Sequence, residues 1–211
     1  MNLTEFRKEY RLAELRRRDL DANPILQFEK WLQDAVQANA PEPTAMSVAT
    51  VDASGQPSLR TVLLKAVDER GFVFCTNYES RKGQEIAGNS NVALLFFWKE
   101  LERQVSVRGL SRKIPEEESD FYFKARPVGS QLGAWVSQQS SVVENRSVLE
   151  TKYDELEKKY SGQHIPLPPN WGGYVVAPVT IEFWQGGVNR LHDRFCYTKE
   201  KNSWLIERLA P

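Results

Sequence analysis

The stretch AMSVATVDASGQPSLRTVLLKAVDERGFVFCTN, residues 45–77, decides the fold class. AMSVATVD (45–52) carries the strand formers Val48, Thr50 and Val51. Asp52 to Gly55 then supplies hairpin chemistry before a second strand, PSLRTVLLKAV (57–67). Asp68-Glu69-Arg70-Gly71 makes another turn into FVFCTN (72–77). Parallel strands need a crossover of a dozen or more residues, so three strands with loops this short form an antiparallel meander.

Working outward, NVALLFFW (91–98) and RQVSVRGLSRKI (103–114) read as two more strands. After the proline-rich HIPLPPN come WGGYVVA, TIEFWQ, RFCYT and SWLIERL, four further short strands. Helices lie before and between these groups. Residues 2–18 are expected to form a helical arm with a thin stripe of Phe6, Leu12 and Leu15. Arg16-Arg17-Arg18 within it reads as a solvated run, with a phosphate contact as the alternative. Asn23 as N-cap and Pro24 open a better helix, whose Ile25, Phe28, Trp31, Leu32, Ala35 and Val36 should pack on the core. Ser80 caps a short helix to Asn89; Pro115 opens another, and residues 129–137 and 144–160 give two more. Eight or nine short strands with inserted helices indicate a mainly β protein, a closed β-barrel with flanking helices. The division expected is an N-terminal arm over residues 1–22 and one domain over residues 23–211.

The 28 basic residues balance the 28 acidic ones, so no overall field favours nucleic acid or membrane, and any anion site must be local. Cys75 and Cys196 have no metal-type spacing and are expected as free thiols in a reducing compartment. No run approaches the roughly 18 apolar residues of a membrane span, and the charged N-terminus lacks a signal-peptide core, so a cytoplasmic protein is expected. There is no glycine-rich dinucleotide fingerprint and no phosphate loop.

Several local groups could bind anions. Arg60 and Lys65 bracket the apolar TVLL of the second strand, and their offset of five puts them on opposite faces. Ser80-Arg81-Lys82 sits at a helix start, where backbone N–H groups and the dipole already favour a phosphate; two exposed basic residues on a first helical turn are the alternative. Tyr122, Arg126 and Ser130 recur every four residues and could converge on a second anion. Gln104 and Gln139, with Ser140, offer donors and acceptors suited to the edge of a heterocycle. IEFWQGGVNRLHDRF (181–195) adds a strand, a glycine pair, and then Arg190, His192 and Arg194 beside Trp184. A hairpin with a solvated charged tip is the alternative for this last stretch. With no paired catalytic carboxylates and no nucleophile beside a base, a cofactor is expected to carry the chemistry.

RRRDL, PTAMSVATVD, RTVLLK, TNYESRKG, LERQVSVRG, RPVGSQLGAWVSQQSS, PLPPNWGGY and IEFWQGGVNRLHDRF, ending in ERLAP, resemble the pyridoxamine (pyridoxine) 5′-phosphate oxidase family, in order and from about Arg7 to Pro211. The resemblance implies an FMN-binding split β-barrel acting as a homodimer, with FMN at the subunit interface. It implies oxidation of pyridoxine or pyridoxamine 5′-phosphate to pyridoxal 5′-phosphate, with dioxygen as acceptor. Matched motif by motif, Arg60, Thr61, Val62, Leu63, Leu64 and Lys65 are implied to line the flavin. Cys75, Thr76, Arg81 and Lys82 follow, the last two at the FMN phosphate. Gln104, Gln139, Ser140, Trp184 and Arg194 complete the flavin contacts. For the substrate, Lys65, Tyr122, Arg126 and Ser130 match the phosphate site. Arg190, Leu191 and His192 match the ring site, with Arg190 and His192 as the catalytic pair. The arm residues Arg7, Lys8, Glu9 and Tyr10 are implied to close over the substrate. Cys75 stands where an aromatic is common, and Glu42 where Asp is common. The alternatives are another split-barrel flavin reductase using a nicotinamide donor, or a non-catalytic protein that binds FMN or pyridoxal phosphate.

Overall fold

A computed structural model describes residues 1–6 and 8–211. Its elements run α1 (Pro24–Gln37), β1 (Ala45–Val51), β2 (Pro57–Asp68), β3 (Gly71–Asn77), α2 (Arg81–Gly88), β4 (Asn91–Trp98) and β5 (Arg103–Lys113). They continue with α3 (Glu116–Lys124), α4 (Val128–Val136), α5 (Arg146–Lys159), β6 (Trp171–Gln185), β7 (Asp193–Lys199) and β8 (Trp204–Leu209). The strands hydrogen-bond in the order β3-β2-β1-β4-β5-β6-β7-β8, and a further pairing of β3 with β6 closes the first six into a barrel. All these pairings are antiparallel, as the short loops of residues 45–77 require.

β6 makes the closure possible because it is long. Its first half pairs with β3 from Trp171 to Val176, and its second half with β7 from Thr180 to Gln185. The sequence suggested two strands here, broken at Pro178-Val179. The structure has one: opposite Arg108 and Gly109 the register shifts, leaving Val179 as an extra, bulged residue. Proline is tolerated at such a bulge because no ladder hydrogen bond is asked of it.

Alternation fixes what each strand buries. Met46, Val48 and Thr50 of β1, and Val92, Leu94, Phe96 and Trp98 of β4, turn inward. α1 covers this interior: the fully buried Phe28 ring lies 4.9 Å from that of Phe72 and 4.8 Å from that of Phe96. Such a ring contributes about 1.5–3 kcal/mol through burial. Asn23 caps α1 by accepting from Ile25 N at 2.9 Å, with Pro24 in the first turn as expected. Val36, in contrast, is exposed. It follows the buried Ala35 by one residue, a rotation of about 100° off the core stripe.

α3, α4 and α5 gather around a smaller core of Phe123, Leu132, Ile165 and Trp171, which Tyr153, Leu156 and Tyr160 partly cover. Arg70, in the β2–β3 turn, fixes α3 to the barrel by donating to both Glu118 oxygens at 2.8 and 2.9 Å. The arm departs from expectation. Among the described residues before Pro24, the only helical turn is the 3-10 segment Arg17–Asp19. Of the expected stripe only Leu15 is buried; Phe6 and Leu12 are exposed. An extended chain held by tertiary contacts replaces the helix, because two further apolar residues give too little burial to fix one.

Candidate active site

A cleft of about 1190 Å³ lies between β2 and the α3–α4 lobe, with the end of β3 and the start of α2 at its base. It brings together Arg60, Thr61, Val62, Leu63, Lys65, Cys75, Thr76, Arg81 and Lys82. Tyr122, Arg126, Ser130, Gln139 and Ser140 line it as well. Leu64 does not: it turns into the barrel core, as a residue between outward-facing Leu63 and Lys65 must.

Lys82 and Arg126 stand in this cleft with no acidic partner among the described residues. Lys82 is buried, yet its ammonium meets only neutral acceptors: Gln139 Oε1 at 2.7 Å, Thr76 Oγ1 at 3.0 Å and Ser80 Oγ at 3.4 Å. Burial, aided by the nearby Arg60 and opposed by Glu85, pushes its pKa down to about 8. Ser80 caps α2 by accepting from Gly83 N at 3.3 Å. The helix start therefore faces the same place. The Arg126 guanidinium is held 5.0 Å from the Trp171 ring and 5.9 Å from the Phe123 ring. Both distances are within cation–π range. Its Nη1 is buried without a hydrogen-bond partner, and burial lowers its pKa. A buried donor left unmade costs about 1–3 kcal/mol, which an incoming anion would recover.

Arg60, by contrast, is already occupied. It donates to Thr50 Oγ1 and Val48 O and lies 3.3 Å from the buried Glu85, which also accepts from Ser58. Glu85 was not foreseen; only its spacing from Arg81 and Lys82 on a short helix could have flagged it. Cys75 is a neutral thiol, pushed up to about 12 by burial against the opposing pull of Lys65 and Arg126.

The remaining expected residues form a second group. Gln104, Trp184 and Arg194 are direct cross-strand partners on β5, β6 and β7. Arg194 donates to both Glu182 oxygens at 2.8 and 3.1 Å and to Ala210 O at 2.8 Å. The His192 ring lies 4.6 Å from Trp184, and Tyr10 stands edge-on to Trp184 at 5.7 Å. His192 Nδ1 accepts from Gly187 N at 3.0 Å. That bond leaves the ring proton on Nε2, free to donate. The glycine pair allows this packing. A Cβ on Gly186 would lie 2.7 Å from the Tyr10 ring, and one on Gly187 would lie 2.5 Å from Leu191 O. Asn189 and Arg190 both adopt left-handed backbone, at φ 55° and 63°. Such conformations are uncommon outside glycine and cluster at functional sites. Arg190 and Leu191 are exposed. Lys8 and Glu9 lie in the extended arm beside Tyr10, and Arg7 is outside the described residues.

Register shows how the two groups relate. Thr61 pairs with Ser47, Ser47 with Leu95, Leu95 with Ser106 and Ser106 with Glu182, so all five share the barrel's outer face. Two residues along, Leu63 and the row of Gln104, Trp184 and Arg194 share it too. Yet β1, β4 and β5 all stand between β2 and β6 on this path, and outward side chains of a closed barrel diverge as it curves. Leu59, Leu63, Leu95 and Phe97 expose apolar surface along it.

Comparison with known proteins agrees with this architecture. Residues 32–160 match the family model described as pyridoxamine 5′-phosphate oxidase. Residues 171–211 match one described as the pyridoxine 5′-phosphate oxidase C-terminal dimerisation region. The chain is 56% identical to a pyridoxine/pyridoxamine 5′-phosphate oxidase of Crocosphaera subtropica, with both sequences covered in full. It is 54% identical to the Burkholderia thailandensis protein of the same name, over 99% of each. Among solved structures, PhzG from Burkholderia lata, in complex with tetrahydrophenazine-1-carboxylic acid, superposes with a TM-score of 0.88 at 32% identity, over 92% of this chain and 95% of that one. A six-stranded split barrel, a cleft whose Lys82 and Arg126 have no acidic partner among the described residues, and full-length similarity to named relatives converge: the chain belongs to the pyridoxamine 5′-phosphate oxidase family.

Proposed function

We propose that this protein is an FMN-dependent oxidase that converts pyridoxine 5′-phosphate and pyridoxamine 5′-phosphate to pyridoxal 5′-phosphate in the cytoplasm. The observation that carries it is one cleft in which two cations withdrawn from solvent, Lys82 and Arg126, are built separately and have no acidic partner among the described residues. Two phosphorylated ligands, cofactor and substrate, need just such a pair. The residues fit FMN: a buried ammonium with only neutral acceptors, at a capped helix start, suits the flavin phosphate. When bound, FMN would supply a two-electron oxidation of the substrate's C4′ carbon with dioxygen as final acceptor, giving hydrogen peroxide; with the amine substrate, water would supply the aldehyde oxygen as ammonia leaves.

The chain's own residues bind and orient. Lys82, Arg81, Gln139 and Ser140 would hold the flavin phosphate, while Arg126, Tyr122, Ser130 and Lys65 would hold the substrate phosphate. Trp184, Arg194 and Gln104 would meet the flavin from a second subunit. The separation of the two groups supports this, since Gln104, Trp184 and Arg194 do not line the cleft that holds Lys82 and Arg126. The apolar residues exposed between them suit a homodimer contact, in keeping with the matched dimerisation region. His192 would donate its Nε2 proton to a polar group on the substrate ring, held in that tautomer by Gly187 N. Arg190 would cover the ring and exclude water. Arg190→Ala should then raise KM and lower kcat, together costing about tenfold or more in kcat/KM. Unchanged turnover and affinity would remove that role.

The purified protein should be yellow and release peroxide with pyridoxine 5′-phosphate, but only weakly with unphosphorylated pyridoxine. Colour without peroxide would instead indicate a carrier, and a nicotinamide requirement would indicate a reductase.

A further inference from the structure

We infer that Glu102 is a positioning residue that clamps the N-terminal segment across the Trp184–His192 end of the site and so holds Tyr10 in place as a wall of the substrate pocket. This rests on the function proposed above.

Glu102 occupies the β4–β5 turn in left-handed backbone, φ 53°, and its side chain is only 2% exposed. Buried carboxylates are costly unless every lone pair finds a donor. Among the described residues, each donor comes from the N-terminal segment, far away in sequence. Arg11 N donates to Oε2 at 2.8 Å, Leu12 N donates to it at 3.1 Å, and Lys8 Nζ lies 3.0 Å from Oε1. The same residue's backbone faces the site. Its carbonyl accepts from Gly186 N at 2.8 Å and from Gln185 Nε2 at 3.2 Å. One residue therefore grips the arm with its side chain and the end of β6 with its main chain. Between the two grips the Tyr10 ring lies against Gly186, edge-on to Trp184 and 6.1 Å from His192. Asp193, next to His192, holds the arm again further along, accepting from Leu15 N at 2.9 Å. An extended segment with little apolar burial gains its order from these carboxylate–amide bonds.

Glu102→Gln keeps the shape and one acceptor but removes the charge that holds Lys8 and both amides. In the holoprotein, tryptic cleavage after Arg11 should accelerate about fivefold or more as the arm opens more often. KM for pyridoxine 5′-phosphate should rise about three- to tenfold, with kcat and FMN affinity much less changed. Tyr10→Ala should raise KM similarly, and Glu102→Gln added to it should contribute less than about twofold, because the two act through one contact. Lys8→Met, at an exposed position, should quicken cleavage after Arg11 in the same direction but less. Unchanged cleavage in Glu102→Gln, or full additivity with Tyr10→Ala, would overturn the inference. Should the wild-type protein give no peroxide, the functional proposal fails, and the cleavage rates alone decide the role of Glu102.

Discussion

Arg126→Ala should raise KM for pyridoxine 5′-phosphate by about 30- to 700-fold, the equivalent of about 2–4 kcal/mol for losing one partner of a buried, charge-assisted contact. The same substitution should leave weak turnover of unphosphorylated pyridoxine almost untouched, because that molecule offers the guanidinium nothing to bind. Three features make Arg126 the place to look. It lines the cleft, burial lowers its pKa, and its Nη1 has no partner among the described residues. Lys65, which also lines the cleft, is exposed and so less able to contribute through desolvation. Stability should move the opposite way to activity. Removing the side chain forfeits ring contacts worth about 0.5–1 kcal/mol. It also relieves an unmade hydrogen bond worth about 1–3 kcal/mol. The ligand-free variant should therefore melt at or above the wild-type temperature, while substrate no longer raises that temperature. Arg126→Lys should recover only part of the affinity, since a point charge does not reproduce a planar fork. Equal loss toward phosphorylated and unphosphorylated substrates would mean that Arg126 serves the fold rather than the phosphate.

The barrel was legible in the sequence because strand formers and turn residues alternate at short, regular spacing from residue 45 onward. The β3–β6 pairing that closes it was not. It joins residues far apart in the chain, Phe72 with Val176 for example, and the bulge at Val179 disguises one long strand as two. The site was legible where chemistry is local. Ser80-Arg81-Lys82 announces a capped helix start, and Tyr122, Arg126 and Ser130 repeat at helical spacing across the break at Pro127. What sequence could not separate was which cations are free. Arg60 and Lys82 look alike as basic residues, yet Glu85 neutralises the first, while the second meets only hydroxyl and amide oxygens. Glu102 was equally silent: a lone acid in a turn becomes an anchor only when the arm folds over it. The arm itself was misjudged because helix propensity was visible and its tertiary acceptors, Glu102 and Asp193, were not.

Lys82 gives the second large effect, and its sign can be worked out. In the ligand-free protein its pKa is lowered from the ordinary 10.5 to about 8, first by burial and then by Arg60. A flavin phosphate held at this residue would bind best to the charged ammonium. Affinity for FMN should thus be full below about pH 8 and fall by up to about tenfold per unit above it, as a proton must be taken up on binding. Below about pH 6 affinity should fall again, as the phosphate itself takes up its second proton. Titrating FMN fluorescence from about pH 5 to 9.5 should trace a plateau between those limits. Lys82→Met should weaken FMN binding by about a hundredfold or more and erase the upper limb, because a charge-assisted contact in a buried site is lost. Lys82→Arg, which stays charged throughout, should flatten that limb while retaining more affinity. The ligand-free protein supplies an independent check with the opposite slope. Between about pH 8 and 10.5 the unfolded chain binds more protons at this residue than the folded one does, so its contribution makes the folded state more stable as pH rises. A wild-type FMN affinity that stays flat across about pH 7 to 9.5 would assign the phosphate to Arg81 and the helix start instead, and leave Lys82 a structural ammonium.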